Sequence, residues 1–156
     1  MNDQGAGDGV QGAAQPEREG RIVAVDWGDK RIGLAVSDPL RMIASPAGFL
    51  LRRPRKRPPV ARLIARAQEL GATAIVLGLP LDGNGNETPR SKEVRAVAAE
   101  VTKRTGWRVD LVDERYTTAA ARRAVHALGG RPSERPGDVD ALAATVLLQH
   151  ALGLSR

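Results

Sequence analysis

Four acids stand out by their placement: Asp26, Asp113, Glu114 and Asp140. Asp26 ends the unbroken apolar run Ile22-Val23-Ala24-Val25, so a carboxylate sits where a strand buried on both faces leaves the core. Asp113 and Glu114 end the run Val109, Leu111, Val112 in the same way, and Asp140 lies in the first turn of a helix that Asp138 begins. Ligands of open α/β sheets bind outside the carboxyl ends of the strands, where acids far apart in sequence can converge. Clustered carboxylates repel each other unless a cation compensates them. The chain has no Cys, and its two His lack a partner at ligand spacing, so any metal must bind oxygen, which selects hard Mg²⁺ or Mn²⁺. Two such ions about 3.5–4 Å apart can activate water and stabilise the leaving oxygen of a phosphodiester. Each acid also has a plainer reading. Asp26 could be a solvated end of a hairpin, and Asp113 could pair with Arg115 or cap the next helix. Asp138 suits an N-cap, and Asp140 is favoured near a helix N-terminus by the dipole alone.

Cations accompany the acids. Gly28, Lys30 and Arg31 follow Asp26 directly, and Lys30 and Arg31 could hold phosphate or belong to a solvated turn. Arg115 adjoins Glu114. The stretch Arg52-Arg53-Pro54-Arg55-Lys56-Arg57 carries five cations in six residues, and Pro54, Pro58 and Pro59 keep it out of a helix interior. It reads as a basic loop facing solvent or a polyanion. The net charge is +6, but residues 1–20 hold four acids and one Arg, which leaves +9 on the remaining 136 residues. Such a balance points to a polyanionic partner, with a surface charged for solubility as the alternative. Twenty of the 24 cations are Arg, whose fork grips phosphate in a bidentate manner.

The elements that must position these groups follow from pattern. Residues 1–20 are mostly Gly, Ala, Gln and Asp, and read as a disordered tail ahead of one domain over 21–156. Residues 21–38 form a β-hairpin around the turn at Gly28–Arg31. Arg41–Leu51 offers a third strand, interrupted by Pro46 and Gly48. Val60, Leu63, Ile64, Ala67 and Leu70 recur at helical spacing, and Gly71 ends that helix. Ala74–Leu79 is a buried strand. Thr88 caps the next helix with Pro89 at its first position; Val94, Val97, Ala98 and Val101 face inward, and Gly106 closes it. After the strand ending at Asp113, a helix from Thr117 or Thr118 buries Ala121, Ala124, Val125 and Leu128, and Gly129–Gly137 is a loop. The last helix is expected to bury Val139, Leu142, Ala143 and Val146. An antiparallel start followed by strand–helix alternation gives an α/β fold with a mixed central sheet flanked by helices. With 3% aromatics, the core must come from Val, Leu, Ile and Ala. No apolar run approaches the roughly 20 residues of a membrane span. The N-terminus lacks the basic-then-apolar order of a signal peptide, so no membrane partner and a cytoplasmic location are expected.

Four stretches in order carry a resemblance: Asp26-Trp27-Gly28 with Lys30-Arg31-Ile32-Gly33 and Ala35-Val36-Ser37-Asp38; Val76-Leu77-Gly78-Leu79-Pro80; Asp113-Glu114-Arg115-Tyr116-Thr117; and Val139-Asp140-Ala141-Leu142-Ala143-Ala144. Over about residues 21–152 the chain resembles the YqgF/RuvX family. The resemblance implies a single RNase H-like domain and a nuclease that matures the 5′ end of the small-subunit ribosomal RNA precursor, also described as Holliday-junction-resolvase-like. It places Asp26, Glu114 and Asp140 on the family's acidic triad, with Asp113 as an auxiliary metal ligand. Asp26 would bridge two ions, Mg²⁺ or Mn²⁺, with water as the nucleophile and no covalent intermediate. The expected nucleic-acid contacts are Lys30, Arg31, Arg52, Arg53, Arg55, Lys56, Arg57 and Arg115. RNA is the first expected substrate and branched or single-stranded DNA the second, and a homodimer is left open.

Two other classes compete. Sugar-kinase-like ATPases begin with a similar Asp-x-Gly turn, but they enclose ATP between two such domains, and this chain supplies one. A non-catalytic ribosome-assembly or transcription factor could use the same basic surface to bind RNA without cutting it.

Overall fold

A computed structural model describes residues 20–53, 55–117 and 137–154. The tail over 1–19 and the helix and loop expected over 118–136 lie outside the described residues.

Strands β1 (Arg21–Trp27) and β2 (Arg31–Ser37) form the hairpin, closed by the Gly28 amide donating to the Arg31 carbonyl at 3.0 Å. Strand β3 (Ala44–Leu51) pairs antiparallel with β2 at the sheet edge, with a register shift opposite Gly33–Ala35. Met42 and Ile43 fall short of this strand and are exposed, because Asp38 accepts both their amides and makes a turn of that stretch. Helix α1 (Val60–Glu69) crosses to β4 (Ala72–Leu79), and helix α2 (Pro89–Thr105) crosses to β5 (Arg108–Asp113). Helix α1 thus connects the edge strand β3 to β4 and α2 connects β4 to β5; β4 pairs parallel with both β1 and β5, and the sheet order is β3-β2-β1-β4-β5. A short 3₁₀ turn (Glu114–Tyr116) follows β5, and helix α3 (Asp138–Leu154) is the last described element.

The helix ends are where their residue types put them. Thr88 accepts from the Ser91 amide while Ser91 accepts from the Thr88 amide, a capping box with Ser91 in the place usually held by Glu. Gly106 closes α2 at φ 73, a left-handed conformation that costs glycine little.

The two faces of the sheet bury different materials. Val23, Val25, Trp27, Ile32, Leu34, Ile75 and Leu77 pack against α1 and α2. Ala24, Ala35 and Val76 face α3, which brings Ala144, Leu147, Leu148 and Leu152. The expected inner face of α3 is corrected here. Ala143 is buried as expected, but Leu142 is 37% exposed, and Val139 and Val146 are only half-buried. The helix turns its alanines, Ala141 and Ala144, to the sheet, because small side chains permit the closest approach.

Candidate active site

At the carboxyl end of the sheet, on the α3 side, Asp26 is paired in register with Gly33 of β2. The last β1–β4 pair is Val25–Leu77, so on the other flank Asp26 stands beside Gly78. A carboxylate between two glycines has a clearing on each side. Other parts of the chain fill both clearings. A Cβ on Gly33 would lie 2.0 Å from the Asp140 carbonyl oxygen, so the first turn of α3 rests directly on β2 there. A Cβ on Gly78 would lie 2.4 Å from Glu114 Oε1, so the Glu114 side chain folds back over β4. Three acids from a strand end, a 3₁₀ turn and a helix start therefore surround one patch of sheet. Asp26 is 9% exposed, while Glu114 and Asp140 are half-buried.

The polar partners sort the remaining candidates. Asp140 Oδ2 accepts from Arg31 Nε at 3.0 Å, so Arg31 compensates the acid cluster from within. Asp113 accepts a fork from Arg115, with Nε at 2.9 Å and one terminal nitrogen at 2.6 Å on Oδ2, and also accepts the Arg115 amide at 2.9 Å. That fork holds the Asp113 carboxyl below its usual 3.8. Asp113 thus makes the Arg115 pair and caps the turn after β5. Arg115 also donates to the Gly83 carbonyl at 3.5 Å and packs beneath Gly85, tying the loop after β4 to the strand end.

The basic loop is divided. Arg52 folds inward: its guanidinium lies 5.1 Å from the centre of the Trp27 ring, donates to the Gly28 carbonyl at 3.0 Å and pairs with Glu93 at 2.7 Å. Arg53, Arg55, Lys56 and Arg57 are exposed, as is Lys30 in the hairpin turn. Trp27 is buried at 1% exposure and donates its indole N–H to Glu93 at 2.6 Å, so it belongs to the core. The Arg52 amide donates to the Lys30 carbonyl at 2.8 Å, which places the loop and the acids at the same end of the sheet.

The donor set suits a hard divalent ion in kind: carboxylate oxygens only, around a strand end cleared of side chains by Gly33 and Gly78. Among the described residues no three acids or His stand close enough to hold one ion together, and Asp140 is turned to Arg31. Sequence reasoning missed the Arg31–Asp140 pair and the two glycine clearings. A glycine inside a strand pattern marks close approach and was the available signal for the clearings.

Residues 20–153 match the family model described as RuvX: Holliday junction resolvase. The chain belongs to the RuvX family. A relative from Kineococcus radiotolerans, named "Putative pre-16S rRNA nuclease", is 42% identical over 140 residues, covering 89% of this chain and 74% of its own. A relative of the same name from Roseiflexus sp. is 37% identical over 137 residues, covering 88% and 96%. Among solved structures, Thermus thermophilus RuvC in complex with a Holliday junction substrate superposes with a TM-score of 0.54 at 15% identity, over 86% of this chain and 94% of that one. This RuvX member therefore has the RNase H-like fold and belongs to a family of nucleases. Among the described residues no helix is long and apolar enough to cross a membrane.

Proposed function

We propose that this RuvX member is a metal-dependent nuclease that hydrolyses phosphodiester bonds near the 5′ end of the small-subunit ribosomal RNA precursor. The observation that carries the reading is the glycine-flanked Asp26 with Glu114 folded over Gly78 and the Asp140 turn seated on Gly33. The names of the relatives support RNA as substrate. Asp26, Glu114 and Asp140 would hold Mg²⁺ or Mn²⁺, with Asp113 secured to Arg115 behind them. When bound, such ions supply charge for the transferring phosphate and acidify the attacking water.

The chain's own residues have separable tasks. Asp26 is held rigidly because its strand is paired on both sides. Glu114 is aimed by the 3₁₀ turn that Asp113 caps. Arg31 balances Asp140 and presents its fork at the same rim, where it can pair with a phosphate oxygen once Asp140 turns toward Asp26. Low exposure at Asp26 limits water there and strengthens each of these charges.

The family description favours a second reading, cleavage of branched DNA. A four-way junction has strands to cut in pairs, so that reading calls for two copies of the chain. One experiment separates the possibilities. The purified protein is offered precursor ribosomal RNA, single-stranded DNA and a four-way junction with Mg²⁺ or Mn²⁺, and its mass in solution is measured. The expected result is cut RNA with both ions, and none with Asp26→Asn. Paired cuts in the junction by a dimer would transfer the reading to DNA. RNA binding with no metal-dependent cut would make the chain a binding factor.

A further inference from the structure

We propose a second nucleic-acid contact, for the sugar–phosphate backbone flanking the cut, in the cleft that Arg53, Lys56, Arg57 and Arg62 form over Pro59. The proposal rests on the nuclease reading above and gives its substrate a path. The lining of this cleft holds four cations and no acid. Three come from the loop after β3 and the fourth from the first turn of α1. The Arg62 guanidinium donates to the Leu51 carbonyl, which turns it toward the loop instead of along the helix. Pro59 offers α1 no side-chain cap, so the positive end of the helix dipole adds to the same potential. The cleft continues past Arg57 and Arg62 to Arg104 of α2, where Glu100 pairs with Arg104 and the excess of positive charge ends.

Place and shape select the ligand. The Arg52–Lys30 backbone bond ties this loop to the turn directly after Asp26. The cleft therefore starts from the end of the sheet that carries the acids and runs along the α1–α2 side, away from α3. A strand leaving the acids over that rim would lay successive phosphates along it. Arg forks match phosphate oxygens, and an open row of four cations suits a chain of charges better than one small anion. Arg52 is excluded from the row because it is folded onto Trp27. Arg55 is exposed but does not line the cleft. Arg62, which the charge run in the sequence does not include, is a member.

Salt dependence tests this. Binding of a labelled single-stranded RNA to Asp26→Asn, which does not cut, is measured over a salt series. It is compared with the same protein carrying Arg53, Lys56, Arg57 and Arg62 all changed to Gln. Each phosphate neutralised on a single strand contributes a slope of about 0.7 in log K against log salt, so the slope should flatten by roughly two to three units. Arg62→Lys, which keeps the charge, should keep the slope. Arg66→Gln, on the same helix beside Glu69, should leave it unchanged. If the four-fold variant melts early, Arg57→Gln alone should still remove about 0.7. An unchanged slope, with the chain that keeps Asp26 cutting RNA in a parallel assay, overturns the cleft and leaves the nuclease reading standing. Failure of the parent chain to bind or cut any nucleic acid overturns both. Equal affinity for polyglutamate and RNA would assign the cleft to an acidic protein and overturn it as well.

Discussion

The two faces of the sheet differ most at its carboxyl end, where Asp26 and Trp27 are neighbours in one strand. Trp27 points to the α1–α2 face, where the core is built of large side chains and every group has a tight partner: its indole N–H on Glu93, and Arg52 over its ring. Asp26 points to the α3 face, where the neighbours are Gly33, Gly78, Ala24 and Ala35 and the approaching helix is rich in Ala. One face spends its volume on packing. The other keeps its layers close with small residues, so that backbone and carboxylates meet. The same alternation of a strand thus supplies a rigid support and a charged rim one residue apart.

The comparison breaks most visibly at Asp26. Asp26→Asn keeps the shape and removes the charge, so cleavage of RNA should fall by about a hundredfold or more, the scale of losing one charge-stabilising group. Its melting temperature should hold or rise, because one repelling carboxylate is gone. The two clearings should separate from each other. Gly33→Ala drives a methyl into the backbone of α3 and should cost about 1–3 kcal/mol in a denaturant titration. The three atoms nearest a Cβ on Gly78 all belong to the Glu114 side chain, so Gly78→Ala should displace that carboxylate and lose cleavage with little loss of stability.

On the opposite face the signs reverse. Glu93→Ala leaves the buried indole N–H without its acceptor and removes the acid paired with Arg52, and should cost about 1–3 kcal/mol. Its cleavage rate should stay within a few-fold of wild type, since Glu93 lies across the sheet from the acids. Asp113 sharpens the rim by pH. Its folded carboxyl is depressed below 3.8 by Arg115, so its stabilisation is present above that value and is lost as pH falls through the folded one. The melting difference between wild type and Asp113→Asn should therefore be full at neutral pH and shrink on acidification below about 4. The smallest effect belongs to the N-terminus. The family match begins at residue 20, and removing residues 1–19 should change neither melting temperature nor cleavage.

Much of the scaffold was legible in the chain because its signals are local. Spacing within one or two turns identified the buried face of α1. The Thr88-Pro89 pair marked the start of α2, and apolar runs ending in acids marked the ends of β1 and β5. These depend on interactions a few residues long, which propensity and periodicity report directly. The inner face of α3 was misread because nearly every position there is apolar or small, so its periodicity is weak and only the neighbouring sheet chooses among its sides.

The site itself was half legible. That Asp26, Glu114 and Asp140 end or begin elements could be read from the chain. That Gly33 and Gly78 flank Asp26 is decided by strand order and register, and a shift of one residue would turn the acid to the other face. The Arg31–Asp140 pair spans 109 residues, and the withdrawal of Arg52 from a basic run needs Trp27 and Glu93 beneath it. The amino-acid sequence by itself determined which elements form and which carry charge. Only the tertiary structure decided which charges meet, because contacts between distant segments depend on how the sheet orders its strands.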